Sequence, residues 1–153
     1  MTSASYRNRQ RSPLFSWLLF LSGVGLAVAG IFFGNMVASV ACVAAGAFTL
    51  LLALCFTWLE ISEESEELLV RFGPVSLFQK RLSYESIRGV KLDKSLFIEG
   101  WGIHFGPRGW IWNIWGRDVI DLELDGGRLR LGTDDPGGLL AHLRERCVLP
   151  DGD

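Results

Sequence analysis

The sequence predicts an α+β protein: a two-helix transmembrane hairpin, then a small seven-stranded antiparallel barrel closed by a C-terminal helix. Three observations lead there. Residues 14–59 hold no charged side chain, whereas residues 60–153 carry 12 Lys and Arg against 17 Asp and Glu. Short alternating runs, separated by Gly, Pro and charged turns, fill residues 66–132. The pattern then switches to helical spacing in "TDDPGGLLAHLRERC". Accordingly, residues 1–13 are read as a basic N-terminus, 14–59 as the hairpin, 60–148 as the folded domain and 149–153 as a tail.

The first helix is expected over 14–33, "LFSWLLFLSGVGLAVAGIFF". At about 1.5 Å per residue this run covers the ~30 Å hydrocarbon core of a bilayer. Gly34 and Asn35 follow as the connection, a pair suited to positive φ. The second helix is expected over 36–59, "MVASVACVAAGAFTLLLALCFTWL". Apolarity this continuous at this length points to membrane spans, not buried core helices. A signal peptide competes for the first run, with Arg7, Arg9 and Arg11 as its basic region and Ala27–Ala29 as a cleavage-like site. The apolar stretch, however, outruns an ordinary signal and continues past that site.

The three arginines flank the first helix, and the loop between helices has no basic residue. The N-terminus and the C-terminal domain are therefore expected on the cytoplasmic side of the cell membrane, with two crossings between them. Gly30 and Gly34 form a GxxxG pair, and Ala41, Cys42, Ala45 and Gly46 recur at four-residue spacing. Such residues allow close backbone approach, within the hairpin or alternatively between two copies. No ionisable residue lies at membrane depth, which argues against a transporter, proton relay or channel.

Seven strands are read in order: "ELLVRF", "SLFQKRL", "SIRGVKLD", "WGIHF", "WIWNIW", "DVIDLEL" and "RLRLG". The sixth is the clearest, with Ile120, Leu122 and Leu124 on one face and Asp121 and Glu123 on the other. Asp125, Gly126 and Gly127 turn it into the seventh. Asp135 is the expected N-cap of the final helix and Pro136 its first residue. Leu139, Leu140, Leu143 and Cys147 share its apolar face, and Arg144 and Arg146 suit its C-terminal dipole.

The stretch Gly100–Phe105, "GWGIHF", and the stretch Gly116–Leu143, "GRDVIDLELDGGRLRLGTDDPGGLLAHL", resemble bacterial pleckstrin-homology-like domains. Members of that family often follow a two-helix membrane hairpin. The resemblance covers about residues 60–147 and implies a helix-capped, pleckstrin-homology-like barrel. It carries over no catalytic residue. Lipid-binding members of the wider fold collect Lys and Arg around the first hairpin. Here Arg71, Lys80 and Arg81 stand beside Glu63, Glu64, Glu66 and Glu67. The net charge of −5 over residues 60–153 suits neither an anionic leaflet nor nucleic acid, so phosphoinositide binding is not carried over.

Chemistry-bearing motifs are sparse. Cys42, Cys55 and Cys147 show no metal or disulfide spacing. His104 and His142 join no ligand set, and no cofactor or metal is expected. Asp134 and Asp135 read as capping, "GPRG" at 106–109 as a hairpin connection, and the glutamates after Leu59 as a solvated spacer. No nucleophile and base stand in a telling order, so an enzyme is not expected.

Four of the six tryptophans fall between Trp101 and Trp115. Alternation places Trp110, Trp112 and Ile114 on one face and Ile111, Asn113 and Trp115 on the other. Trp101 and at least one of Trp110 and Trp112 are expected in the core, Trp101 as the buried member and Trp115 as the exposed one. The candidate interaction surface is Trp115, Arg108, Arg117 and Trp110. The expected function is a membrane-anchored, non-enzymatic, protein-interaction module. The alternative is a domain that senses or binds lipid headgroups.

Overall fold

The computed structural model describes residues 5–96, 99 and 101–147. The expected tail at 149–153, the domain end at residue 148 and Gly100 lie outside the described residues, as do residues 1–4.

Strand β1 (Arg7–Arg11) leads directly into helix α1 (Pro13–Phe32). Ser12 ends the strand and caps the helix, its Oγ accepting from the Phe15 N–H at 3.4 Å. Helix α2 (Met36–Cys55) returns antiparallel to α1. Asn35 is extended, with φ −116°, and its Oδ1 accepts from Val37 and Ala38 N–H at 2.9 and 3.1 Å. The expected positive-φ turn at Gly34 and Asn35 is therefore replaced by an N-cap.

The two helices pack on one another through Gly23, Gly30 and Gly46, which are buried. A Cβ on Gly46 would lie 2.7 Å from the Gly23 carbonyl oxygen and from the Ala27 nitrogen. Gly34 has nothing within 4 Å of its Cβ direction, so the GxxxG pair does not act as a unit. Outside this seam the helices are bare: 11% of the apolar window of each is buried, at mean hydropathy 2.1 and 2.3. Both are long and apolar enough to cross a membrane.

The second helix ends earlier than its apolarity suggests. Trp58 and Leu59 open strand β2 (Trp58–Glu64) instead of closing the helix. Leu59-Glu60-Ile61 alternates, but Trp58 and Leu59 continue the apolar run, and hydropathy cannot divide a helix end from a strand start. The domain boundary read at residue 60 thus falls inside a strand. Strand β3 (Glu67–Gly73) and strand β4 (Gln79–Ser83) continue as a meander, and the first sheet has the order β1-β2-β3-β4.

The second sheet contains β5 (Ile87–Lys94), β6 (Gly102–Gly106), β7 (Gly109–Asn113), β8 (Asp118–Leu124) and β9 (Gly127–Gly132), in the order β5-β8-β9-β7-β6. All seven expected strands are present. The single seven-stranded antiparallel barrel is not: two sheets of four and five strands replace it, and β7 runs parallel to β9. The extra members of the first sheet are β1 and β2. The periodic signal missed them because one is wholly polar and the other begins in an apolar run.

The sheets and helix α3 (Pro136–Arg146) enclose one core. Leu59, Ile61, Leu68, Val70 and Phe72 supply it from the first sheet. Ile120, Leu122, Leu129 and Leu131 supply it from the second, and Leu139, Leu143 and Cys147 close it. Asp135 caps α3 as expected, its Oδ1 accepting from the Gly138 N–H at 3.0 Å. Beside α3, His142 stacks on Tyr6 at 5.0 Å between ring centroids, and its Nε2 lies 2.9 Å from the Tyr84 hydroxyl. Burial holds the imidazole below its ordinary pKa. Glu63 pairs with Arg146 and its side chain is only 7% exposed, so it is not part of a solvated spacer.

Candidate interaction surface

The end of the domain next to the helices is built around Glu60, which is 0% exposed on the outer face of β2. Register places it directly between Arg9 on β1 and Arg71 on β3. Arg9 Nε donates at 2.7 Å, Arg71 Nε at 3.0 Å and Arg7 Nε at 3.2 Å. Burial alone would raise the carboxyl pKa, but the hydrogen bonds from Arg71 and Arg9 outweigh it and hold it below the usual range. Two residues nearer the helices, Arg11 pairs across from Trp58, and Trp58 from Gly73. The Trp58 indole lies over Gly73, where a Cβ would come within 2.1 Å of the ring. Arg9 sits over the same indole, 4.3 Å from its centroid.

The result is a cationic collar. Arg7, Arg9 and Arg71 face one carboxylate, and Arg11, across from Trp58, adds a fourth guanidinium that forms no ion pair among the described residues. The net charge of the domain conceals this, because β1 brings in arginines from before the hairpin. The R-N-R-Q-R alternation was the available signal. It lacks the apolar residues by which strands are usually recognised.

Trp101 and Trp115 also lie at the helix end. Their rings stack at 4.8 Å, and Trp101 meets Phe15 of α1 edge-on at 6.1 Å. The Gln10 side-chain amide donates to the Trp115 carbonyl at 2.8 Å, tying β1 to the second sheet. Trp101 is half-buried and outside the core, contrary to its expected place. It is shielded by another indole and by a helix, not by the core between the sheets. Trp112 is the tryptophan of this stretch that packs on the core, against Phe72 at 5.7 Å. Ile114 joins the core as Trp112 packs on it, in keeping with the expected alternation, and Trp115 is exposed as expected.

The four candidate surface residues divide into two places. Trp115 and Arg117 lie beyond the Asn113 end of β7, with Arg117 Nε donating to the Ser95 carbonyl at 3.1 Å. Trp110 and Arg108 lie at the other end, on the β6–β7 hairpin. Arg108 is partly consumed by Asp93 at 2.8 Å and Glu99 at 3.3 Å, which also pair with buried Arg130. For Asp93 and Glu99, burial opposes ionisation, yet their hydrogen bonds and the nearby arginines leave both carboxyls below the ordinary range. Trp110 is 47% exposed and meets Phe105, 69% exposed, edge-on at 5.5 Å. Phe105 was not singled out in the sequence, and cross-strand pairing on the sheet's edge strand is what joins it to Trp110.

Among the described residues no cluster of His, Cys, Asp and Glu has the makings of a metal site. The chain matches no protein-family model and no curated protein.

Proposed function

We propose that α1 and α2 span a membrane as a hairpin and that the β domain is a non-enzymatic interaction module held on its cytoplasmic face. What supports the membrane reading is two apolar helices of 20 residues whose outward surfaces nothing in the fold covers. What supports the orientation is the arginine collar on the domain side and an uncharged hairpin loop. No free linker separates the two parts, since Ser12 joins β1 to α1 and β2 begins at Trp58, shortly after α2 ends at Cys55. The domain is thereby held at a set height, which raises its effective concentration for neighbouring membrane proteins.

The observation that carries the interaction role is the Phe105–Trp110 pair. Two large aromatic rings stand exposed on an edge hairpin, the kind of anchor that fills a partner's pocket. A photo-crosslinker placed at Trp110 should give a discrete protein adduct in cells, and one at Lys91 should not. Equal, diffuse labelling from both positions would sink the module reading. The pleckstrin-homology-like reading is supported by two sheets followed by a closing helix, with β1, β2 and the parallel pairing of β7 with β9 departing from the seven-strand antiparallel pattern. Lipid contact is the second reading, and the arginine collar is what favours it.

A further inference from the structure

At the domain end of the hairpin, α1 and α2 line a groove of about 550 Å³. That volume lies within the range of small-ligand sites, about 300–1,000 Å³. Trp17 and Phe20 of α1 form one wall, edge-on at 5.6 Å, and Leu50 and Leu54 of α2 form the other. Arg11 is the one charged residue lining it among the described residues. We propose that this groove binds one anionic phospholipid, with an acyl chain between the helices and its phosphate on the Arg11 guanidinium. The inference rests on the membrane reading above.

Three observations select this occupant. The walls are apolar and open sideways, where a bilayer supplies chains, for Trp17, Phe20 and Leu54 are all exposed. Arg11 precedes the helix cap Ser12, so it lies at headgroup height when α1 crosses the hydrocarbon. Its guanidinium has no carboxylate among the described residues, while Arg7, Arg9 and Arg71 share Glu60 alone. A planar guanidinium fits phosphate through two parallel hydrogen bonds. The surplus positive charge around it favours a lipid of net negative charge over a zwitterionic one.

The test uses the full chain in nanodiscs of phosphatidylglycerol diluted in phosphatidylcholine, with retained lipid counted by native mass spectrometry after extraction. The wild type should retain phosphatidylglycerol above its bulk share by about fivefold, the worth of one arginine at a charged surface. Arg11→Gln should abolish the enrichment at unchanged circular dichroism. Arg11→Lys should keep part of it, and Arg88→Gln, on the far strand β5, should keep all of it. A chain that inserts but retains both lipids in bulk proportion overturns the site alone, as does undiminished enrichment in Arg11→Gln. A chain that stays out of the bilayer overturns the membrane reading and the site together.

Discussion

Trp101 stacks on Trp115 with ring centroids 4.8 Å apart and planes 24° from parallel. The pair bridges the segment before β6 to the segment after β7, and Phe15 of α1 leans on it. Neither ring is in the main core, so their contribution to stability comes through each other. Trp101→Ala and Trp115→Ala should each lower the melting temperature of the detergent-solubilised chain, and less than additively in combination. The expected coupling is about 0.5–1.5 kcal/mol beyond area burial. Strict additivity in the double-mutant cycle would show that the stack contributes nothing of its own.

Glu60 should make stability depend on acid. Its folded-state pKa lies below the unfolded value of about 4.3. Its contribution is therefore complete above that value and is lost as pH falls through the folded one. Glu60→Gln should cost about 1–3 kcal/mol at neutral pH, toward the low end because the partner arginines reach solvent. Melting curves from neutral pH to about pH 3 should show the gap between wild type and variant closing as acid protonates Glu60. Asp93 and Glu99 share the same direction, so both proteins should still lose stability overall. A gap that stays constant down the titration would contradict an ionised Glu60.

Leu143 is 0% exposed between α3 and the sheets. Leu143→Ala should cost about 2–5 kcal/mol, a large share of a typical total of about 5–15. Thermal melting must use the whole chain. A fragment beginning at residue 60 would lose β1 and the first residues of β2, including the core residue Leu59. An unchanged melting curve would mean that α3 does not close the core.

Gly46 and Gly34 should respond oppositely to the same substitution. Gly46→Val drives a side chain into the backbone of α1, and overpacking of this kind typically costs about 1–3 kcal/mol. Gly34→Val meets open space. Thermal stability in detergent should fall for the first and stay near wild type for the second. The reverse order would place the helix seam elsewhere.

Hydropathy and periodicity are properties of a segment, and whatever depended on them could be read directly. The two apolar helices needed only twenty uncharged residues each. The strand Asp118–Leu124 needed only its alternation, and α3 only its cap at Asp135 and its leucine spacing. These elements form because each buries or exposes a stripe that its own sequence defines.

Strand β1 has no such stripe. Its residues become a strand because the free edge of β2 offers hydrogen bonds and because Glu60 meets Arg9, 51 residues away in the chain. The cationic collar follows from that pairing, although the charge count of the domain alone is negative. The stack of Trp101 on Trp115 likewise exists only once β6 and β7 are paired and α1 stands beside them. Contacts between residues far apart in sequence are chosen by which edges and faces remain unfilled when the elements assemble. That choice is made by the whole fold, and no local window of residues contains it.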